Sequence, residues 1–191
     1  MHTQKIPVIL ASQSPRRIKL LKTIIENFLV IPSKIDEVCD INLSPEENAI
    51  LLGRNKATCV AKYHPNNLII GADTMVVLKN KIIGKPTDIE NARQILRQLS
   101  GQEHEVITGI TVVHSQILSA SKISRVRMKN LSLKDINSYV ESGESMDKAG
   151  AYAIQGEGSF LVESYSGSYT NIIGLPMELL EDLLQKSNFS I

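Results

Sequence analysis

The stretch from Ile6 to Ala11 is apolar and β-prone, breaks at Ser12-Gln13-Ser14, and resumes at Pro15 with Ile18, Leu21 and Ile25 at helical spacing. Strand, turn and helix start thus fall within one short segment, and everything that follows has to pack against both elements. Ser14 suits the N-cap, and Pro15 suits the first helical position, where its missing N–H costs nothing. Leu20 and Ile24 widen the apolar stripe, so one face of the helix points inward. Arg16 and Arg17 then lie in the first turn, where the helix dipole disfavours cations. Two readings fit them. They are a solvated surface pair, or they join the free N–H groups and the hydroxyls of Ser12 and Ser14 in holding a phosphate chain.

Composition narrows the field. A formal charge of +1 over 191 residues excludes a strongly basic nucleic-acid coat and an acidic tail, so any affinity for an anion must come from local placement. Five tyrosines, three phenylalanines and no tryptophan, spread through the chain, do not form a stacking face, and no nucleic-acid partner is expected. No apolar stretch is long enough to span a membrane, and only Lys5 precedes a short apolar segment in place of a signal peptide. A cytoplasmic location without a membrane partner is the expectation. Cys39 and Cys59 have no Cys or His neighbours at metal-ligand spacing and read as reduced thiols. His104-Glu105 lacks the second histidine of a zinc-protease helix.

Phe28 to Ile31 reads as a second strand, followed by the polar Pro32 to Glu37. Ser44-Pro45-Glu46-Glu47 is a capping box that starts a helix to about Tyr63, with Lys56 on it as a plausible solvated charge. Leu68 to Ala72 is an apolar strand expected to end at Asp73-Thr74 before alternation resumes at Met75 to Leu78. A carboxylate between two apolar stretches needs a cation or donors, so Asp73 either caps a local turn or serves chemistry. Lys79-Asn80-Lys81 reads as a turn, Ile82-Ile83 as a return strand and Gly84-Lys85-Pro86 as its end. Thr87 with Glu90 suggests a capping box, and Ile89, Ala92, Ile95, Leu96 and Leu99 the buried stripe of the helix behind it. Strands are expected over His104–His114 and Ile117–Met128, in a mixed sheet, and a helix capped by Ser132 and Asp135 runs to about Ser142. The glycine-rich segment from Glu144 to Pro176 reads as loop, and Pro176 opens a last helix through Leu184.

Five separated segments carry a family resemblance that spans Leu10 to Leu184. Ala11-Ser12-Gln13-Ser14-Pro15-Arg16-Arg17, Gly71-Ala72-Asp73-Thr74, Gly84-Lys85-Pro86, Asp147 to Gly156 and Gly167 to Pro176 resemble, in order, the motifs of the Maf family of nucleoside triphosphate pyrophosphatases. The polar segment ending at Glu37 and the helical Lys56 also match family positions. One segment departs: Ser124-Arg125-Val126-Arg127-Met128 places Arg125 where the family usually has an acidic residue.

The resemblance implies a single α/β domain over residues 1–191, in which a bent mixed sheet flanked by helices forms two lobes around a central cleft, as in Maf and ITPase-like proteins. It implies hydrolysis of a nucleoside triphosphate between the α and β phosphates, with a divalent cation, Mg or Mn, as cofactor and a homodimer as assembly. Ser12, Arg16, Arg17, Lys56 and Lys85 would meet the phosphates, Asp73 would accept the proton of the attacking water, and Glu37 with Asp73 would hold the metal. Either acid fits either role. Arg16, Thr74 and Gln155 resemble the branch acting on dTTP and UTP, and a glutamine amide can both donate to a pyrimidine carbonyl and accept from its ring N–H. Modified uridine triphosphates fit the same pocket. A nucleotide-binding regulator of septum formation, using the pocket without catalysis, and a phosphatase removing the γ phosphate are the competing functions.

Overall fold

The computed structural model describes residues 6–189, which leaves His2 and Lys5 outside the described residues. In chain order the strands and α-helices are β1 (Val8–Leu10), α1 (Pro15–Leu21), β2 (Leu29–Val30), α2 (Pro45–Ala61), β3 (Leu68–Leu78), β4 (Lys81–Ile83) and α3 (Ile89–Leu99). They continue with β5 (Glu103–Val113), β6 (Ile117–Met128), α4 (Leu133–Glu141), β7 (Val162–Ser166), α5 (Tyr169–Ile173) and α6 (Met177–Lys186). One sheet of seven strands runs β2-β1-β3-β5-β6-β7, with β4 on β3. Strand β1 is parallel to β2 and β3, whereas β4 lies antiparallel to β3 and β7 antiparallel to β6. The mixed α/β architecture expected from the sequence is the one found.

The chain divides into two compact units. The first comprises residues up to Asp73, Thr108–Lys122 and the chain from Gly174 onward. Its strands alternate as a two-sided sheet must. Val8, Leu10, Leu68 and Ile70 face Leu21 of α1 and Leu180, Leu183 and Leu184 of α6. Ile9, Ala11 and Ile69 face Ala57 and Val60 of α2. Helix α1 ends at Leu21, short of the stripe read from the sequence, yet Ile25 beyond it is still buried.

The second unit comprises Thr74–Ile107 and Ile123–Ile173. Val76, Val106, Val126 and Met128 pack against Ala92, Leu96 and Leu99 of α3 and Ile136, Tyr139 and Val140 of α4. Lys79 and Asn80, both at positive φ, turn β3 into β4.

Three expectations are corrected. Strand β3 does not stop at Asp73 but runs unbroken to Leu78, because the ladder continues past a side chain that finds its partner elsewhere. The cap of α3 is Asp88, whose carboxylate accepts the Asn91 N–H at 2.8 Å, and not Thr87. That shift leaves Ile89, assigned to the buried stripe, 54% exposed. The segment from Glu144 to Pro176 is more ordered than its glycines suggest, with 3₁₀ turns at Ala149–Ala151 and Gly156–Leu161 besides β7 and α5.

His104 sits in the core of the second unit, 2% exposed, with its Nε2 2.7 Å from the Tyr152 hydroxyl. Burial lowers its pKa from 6.5 to about 4. The folded protein therefore keeps it neutral while the unfolded chain takes up a proton below pH 6.5, so this contribution to stability is complete above that pH and fades as pH falls toward 4. Between pH 7.5 and 5 the loss amounts to about 2 kcal/mol. His104→Gln should remove that part of the pH dependence, which urea unfolding of both proteins at the two pH values will measure.

Candidate active site

The turn from β1 into α1 is built as the capping residues dictate. Ser14 accepts the Arg17 N–H at 3.5 Å, and its own N–H donates to Ser12 Oγ at 3.3 Å. Arg17 folds inward, only 9% exposed. Its Nε donates to the Gly174 carbonyl at 2.8 Å and its Nη1 to Ser12 Oγ at 3.1 Å. Burial pushes the guanidinium below its ordinary pKa, the carboxylates of Asp73 and Glu37 oppose that push, and neighbouring Arg16 adds to it. Arg16 stays half-buried in the same helical turn. The fixed arginine is thus Arg17, while Arg16 keeps a face toward solvent.

Helix α2 lies almost backbone to backbone on the sheet. A Cβ on Gly71 would lie 2.7 Å from the Ala57 nitrogen and would also meet the Gly53 carbonyl, and one on Gly109 would run into the backbone of Ala49. Only glycine permits so close an approach. One turn beyond Gly53, Lys56 is carried down beside the sheet, 6% exposed. Its Nζ donates to Asp73 Oδ1 at 2.6 Å and lies 2.8 Å from Glu37 Oε1. Asp73 is 7% exposed, whereas the Glu37 side chain is half-exposed. Lys56 is therefore no solvated surface charge but the bridge between the two acids. The Cys39 thiol beside them is pushed up in pKa, first by burial and then by the charges of Asp73 and Glu37.

The first unit thus brings together Ser12, Arg17, Glu37, Lys56 and Asp73, drawn from four separate stretches of chain. Thr74, Lys85 and Gln155 belong to the second unit. Thr74 follows Asp73 on β3, half-buried. Lys85 is exposed in the loop after β4, where the Gly84 carbonyl accepts the Gly150 N–H at 3.1 Å and so ties this loop to the glycine-rich segment. Gln155 is exposed in a loop braced on both sides. The Ala153 N–H donates to the Tyr139 hydroxyl at 3.1 Å, and the Gly158 N–H to Glu144 Oε2 at 3.0 Å. Arg125 points outward and lies 3.5 Å from Glu105. Its neighbour Ser124 is buried and fastens the turn before α5, accepting the Ser168 N–H and an Asn171 side-chain N–H. The Gly174 carbonyl that orients Arg17 lies within the Gly167 to Pro176 motif, but the sequence assigned it no role. Asn48, just inside the helix that a capping box already starts, also went unassigned; its buried amide bonds the backbone of Asp40, Leu43 and Ser44.

The family model for Maf-like proteins matches residues 7–187. The chain belongs to this family. It is 46% identical over 182 residues to the dTTP/UTP pyrophosphatase of Clostridioides difficile (strain 630), covering 94% of each chain. It is 44% identical over 185 residues to the dTTP/UTP pyrophosphatase of Halalkalibacterium halodurans, covering 96% of this chain and 97% of that one. Among solved structures, a HAM1 protein from Coxiella burnetii aligns over 95% of this chain and 99% of its own with 17% identity and a TM-score of 0.49.

In this Maf-like chain, Glu37 and Asp73 are the neighbouring carboxylates that could hold a divalent cation. Among the described residues, no group of three or more His, Cys, Asp and Glu side chains gathers into a protein cage. Instead two carboxylates converge on a single cationic atom. Mg²⁺ is commonly held by one or two carboxylates together with substrate phosphates and water, and Glu37 and Asp73 could provide the carboxylate part.

A buried carboxylate that loses its ammonium is an uncompensated charge. Lys56→Met should therefore destabilise the protein by about 3 kcal/mol, and Lys56→Met combined with Asp73→Asn should recover most of that loss. Urea midpoints of the two variants and the parent will measure both.

Proposed function

We propose that this chain hydrolyses dTTP and UTP, and modified uridine triphosphates, between the α and β phosphates, releasing the nucleoside monophosphate and pyrophosphate and so clearing these nucleotides from the pool. The observation that carries the chemistry is the pair of carboxylates, one buried and one half-exposed, held on the Lys56 ammonium. The choice of nucleotide is supported by near full-length identity of up to 46% with relatives named dTTP/UTP pyrophosphatase.

Each side chain has a task that its environment suits. Lys56 fixes Asp73 Oδ1 at 2.6 Å, which orients the carboxylate so that its other oxygen can take a proton from the attacking water. As that water bonds to the α phosphorus, the bond to the bridging oxygen breaks and pyrophosphate leaves with the electron pair. Arg17, already locked by Ser12 and Gly174, meets the negative charge without reorganising. By the family resemblance Arg16 and Lys85 bind phosphate oxygens, and Ser12 orients Arg17. Glu37, being half-exposed, is the carboxylate better placed to take a hydrated cation, with Asp73 beside it. When bound, the cation, Mg²⁺ or Mn²⁺, neutralises part of the phosphate charge. Gln155 reads the pyrimidine edge through its amide, and Thr74 is a substrate-binding residue by the family resemblance alone. The family resemblance is also the ground for assigning the protein as a homodimer.

Product analysis with dTTP, UTP, CTP and GTP under Mg²⁺ and Mn²⁺ tests this directly. Monophosphate and pyrophosphate from dTTP and UTP are expected, and Asp73→Asn should lower kcat by about 100-fold or more. Orthophosphate with a diphosphate would place the cleavage at the γ phosphate instead. Nucleotide binding without turnover in either protein would point to a regulator. Gln155→Glu, which replaces the amide donor with an acceptor, should lose preference for dTTP and UTP over the other nucleotides, read as a ratio of kcat/KM values.

A further inference from the structure

We propose that Asn48 is a positioning residue that sets Glu37 on the Lys56 ammonium by clamping the segment between them. This rests on the assignment of Glu37 to the reaction. Residues 31–40 form neither helix nor strand, and the apolar side chains that follow Glu37 do not anchor it: Val38 is 73% exposed and Ile41 96%. What holds the segment is polar. Asn48, 1% exposed on the first turns of α2, accepts the Asp40 N–H on Oδ1 at 2.7 Å. Its Nδ2 donates to the carbonyls of Asp40 at 2.9 Å, Leu43 at 3.1 Å and Ser44 at 3.2 Å. The loop closes on itself around this amide, with the Leu43 N–H on the Asp40 carbonyl and the Asp40 carboxylate accepting from Asn42.

The residue type is explained by the loop and not by the helix. Asparagine is a poor choice inside a helix, because its side chain competes for nearby backbone groups. The helix start needs no help from it, since Ser44 and Glu47 already form a complete capping box. Asn48 and Lys56 ride on the same rigid helix, so the clamp and the ammonium keep a fixed separation, and the chain running back from Asp40 reaches Glu37 three residues later. An Asn48 side chain removed from this position frees the backbone at 40–44 and lets the Glu37 carboxylate wander from Lys56.

A double-mutant cycle with dTTP as substrate tests the inference. Asn48→Ala should lower kcat roughly 10- to 100-fold, the cost typical of losing a group that orients a ligand-bearing side chain. At saturating Mg²⁺ KM should change by less than about threefold, since the substitution leaves the phosphate-binding Arg16, Arg17 and Lys85 untouched. In a Glu37→Gln background the same substitution should cost less than about twofold, because there is no longer a carboxylate to position. Amide hydrogen exchange should rise at residues 38–44 and stay unchanged in the strands of the sheet. Asn48→Asp, which keeps the volume but sets a carboxylate against the three carbonyls, should give the same pattern if the alanine variant does not fold. Equal losses in both backgrounds, undiminished turnover of Asn48→Ala, or exchange that spreads into the sheet would overturn the proposal while leaving Glu37 in place. Full turnover by Glu37→Gln alone would overturn the assignment of Glu37 and the clamp's purpose with it.

Discussion

A buried ammonium shared by two carboxylates is the constraint around which the first unit is arranged. Taking Lys56 and Asp73 out of water costs several kcal/mol per ion before their attraction is counted. The charges can stay only if geometry is fixed closely enough to recover that cost, and the contacts of 2.6 and 2.8 Å show that it is. Removing either partner would leave a charge stranded in the protein. The arrangement gives up stability that an apolar cluster of similar volume would supply, which makes chemistry the better explanation for its presence than folding.

The rest of the unit supplies that geometry. Glycines at 53, 71 and 109 let α2 settle on β3 and β5 with no side chains between the backbones, so the helix cannot drift and Lys56 is delivered at a fixed height. Apolar packing on both sides of β1 and β3 holds the sheet in place beneath it, with α1 and α6 on one face and α2 on the other. Arg17 is fixed by a different device, a hydroxyl and a carbonyl that use its donors while burial keeps it from solvent. Both cations are thus oriented by the fold itself, Lys56 on its two carboxylates and Arg17 on Ser12 and Gly174.

The second unit uses the same logic with neutral groups. Buried Ser124 and Asn171 tie β6 and β5 to the turn before α5, and Tyr139 and Glu144 brace the loop that carries Gln155. Burial raises the pKa of the Tyr139 hydroxyl, and the negative charge of Glu144 raises it further, so the hydroxyl remains a neutral hydrogen-bonding group throughout the working pH range. Arg125, the one clear departure from the family pattern, is answered locally by Glu105 on the neighbouring strand.

Local order in this protein was legible from residue types alone. Ser14-Pro15, Ser44 to Glu47 and Ser132 to Asp135 announced their helix starts because a cap is a contact between residues three apart, and all three caps are present. The apolar periodicity of α1, α6 and the long strands likewise followed from faces that must be buried. The same local rules erred where two adjacent residues could each serve as cap, as at Thr87 and Asp88, and where a polar pair suggested a break in a strand that pairing carries through. The motifs also marked Asp73, Arg17 and Gln155 through family resemblance. What no local rule could supply was the partner of each charge. Lys56 on a helix and Glu37 in an irregular segment look like solvent-facing charges until the glycine contacts bring α2 down on the sheet. Asn48 looks like a helix blemish until the loop folds over it. Those assignments depend on contacts between parts of the chain distant in sequence, and such contacts exist only after the sheet has placed its strands side by side.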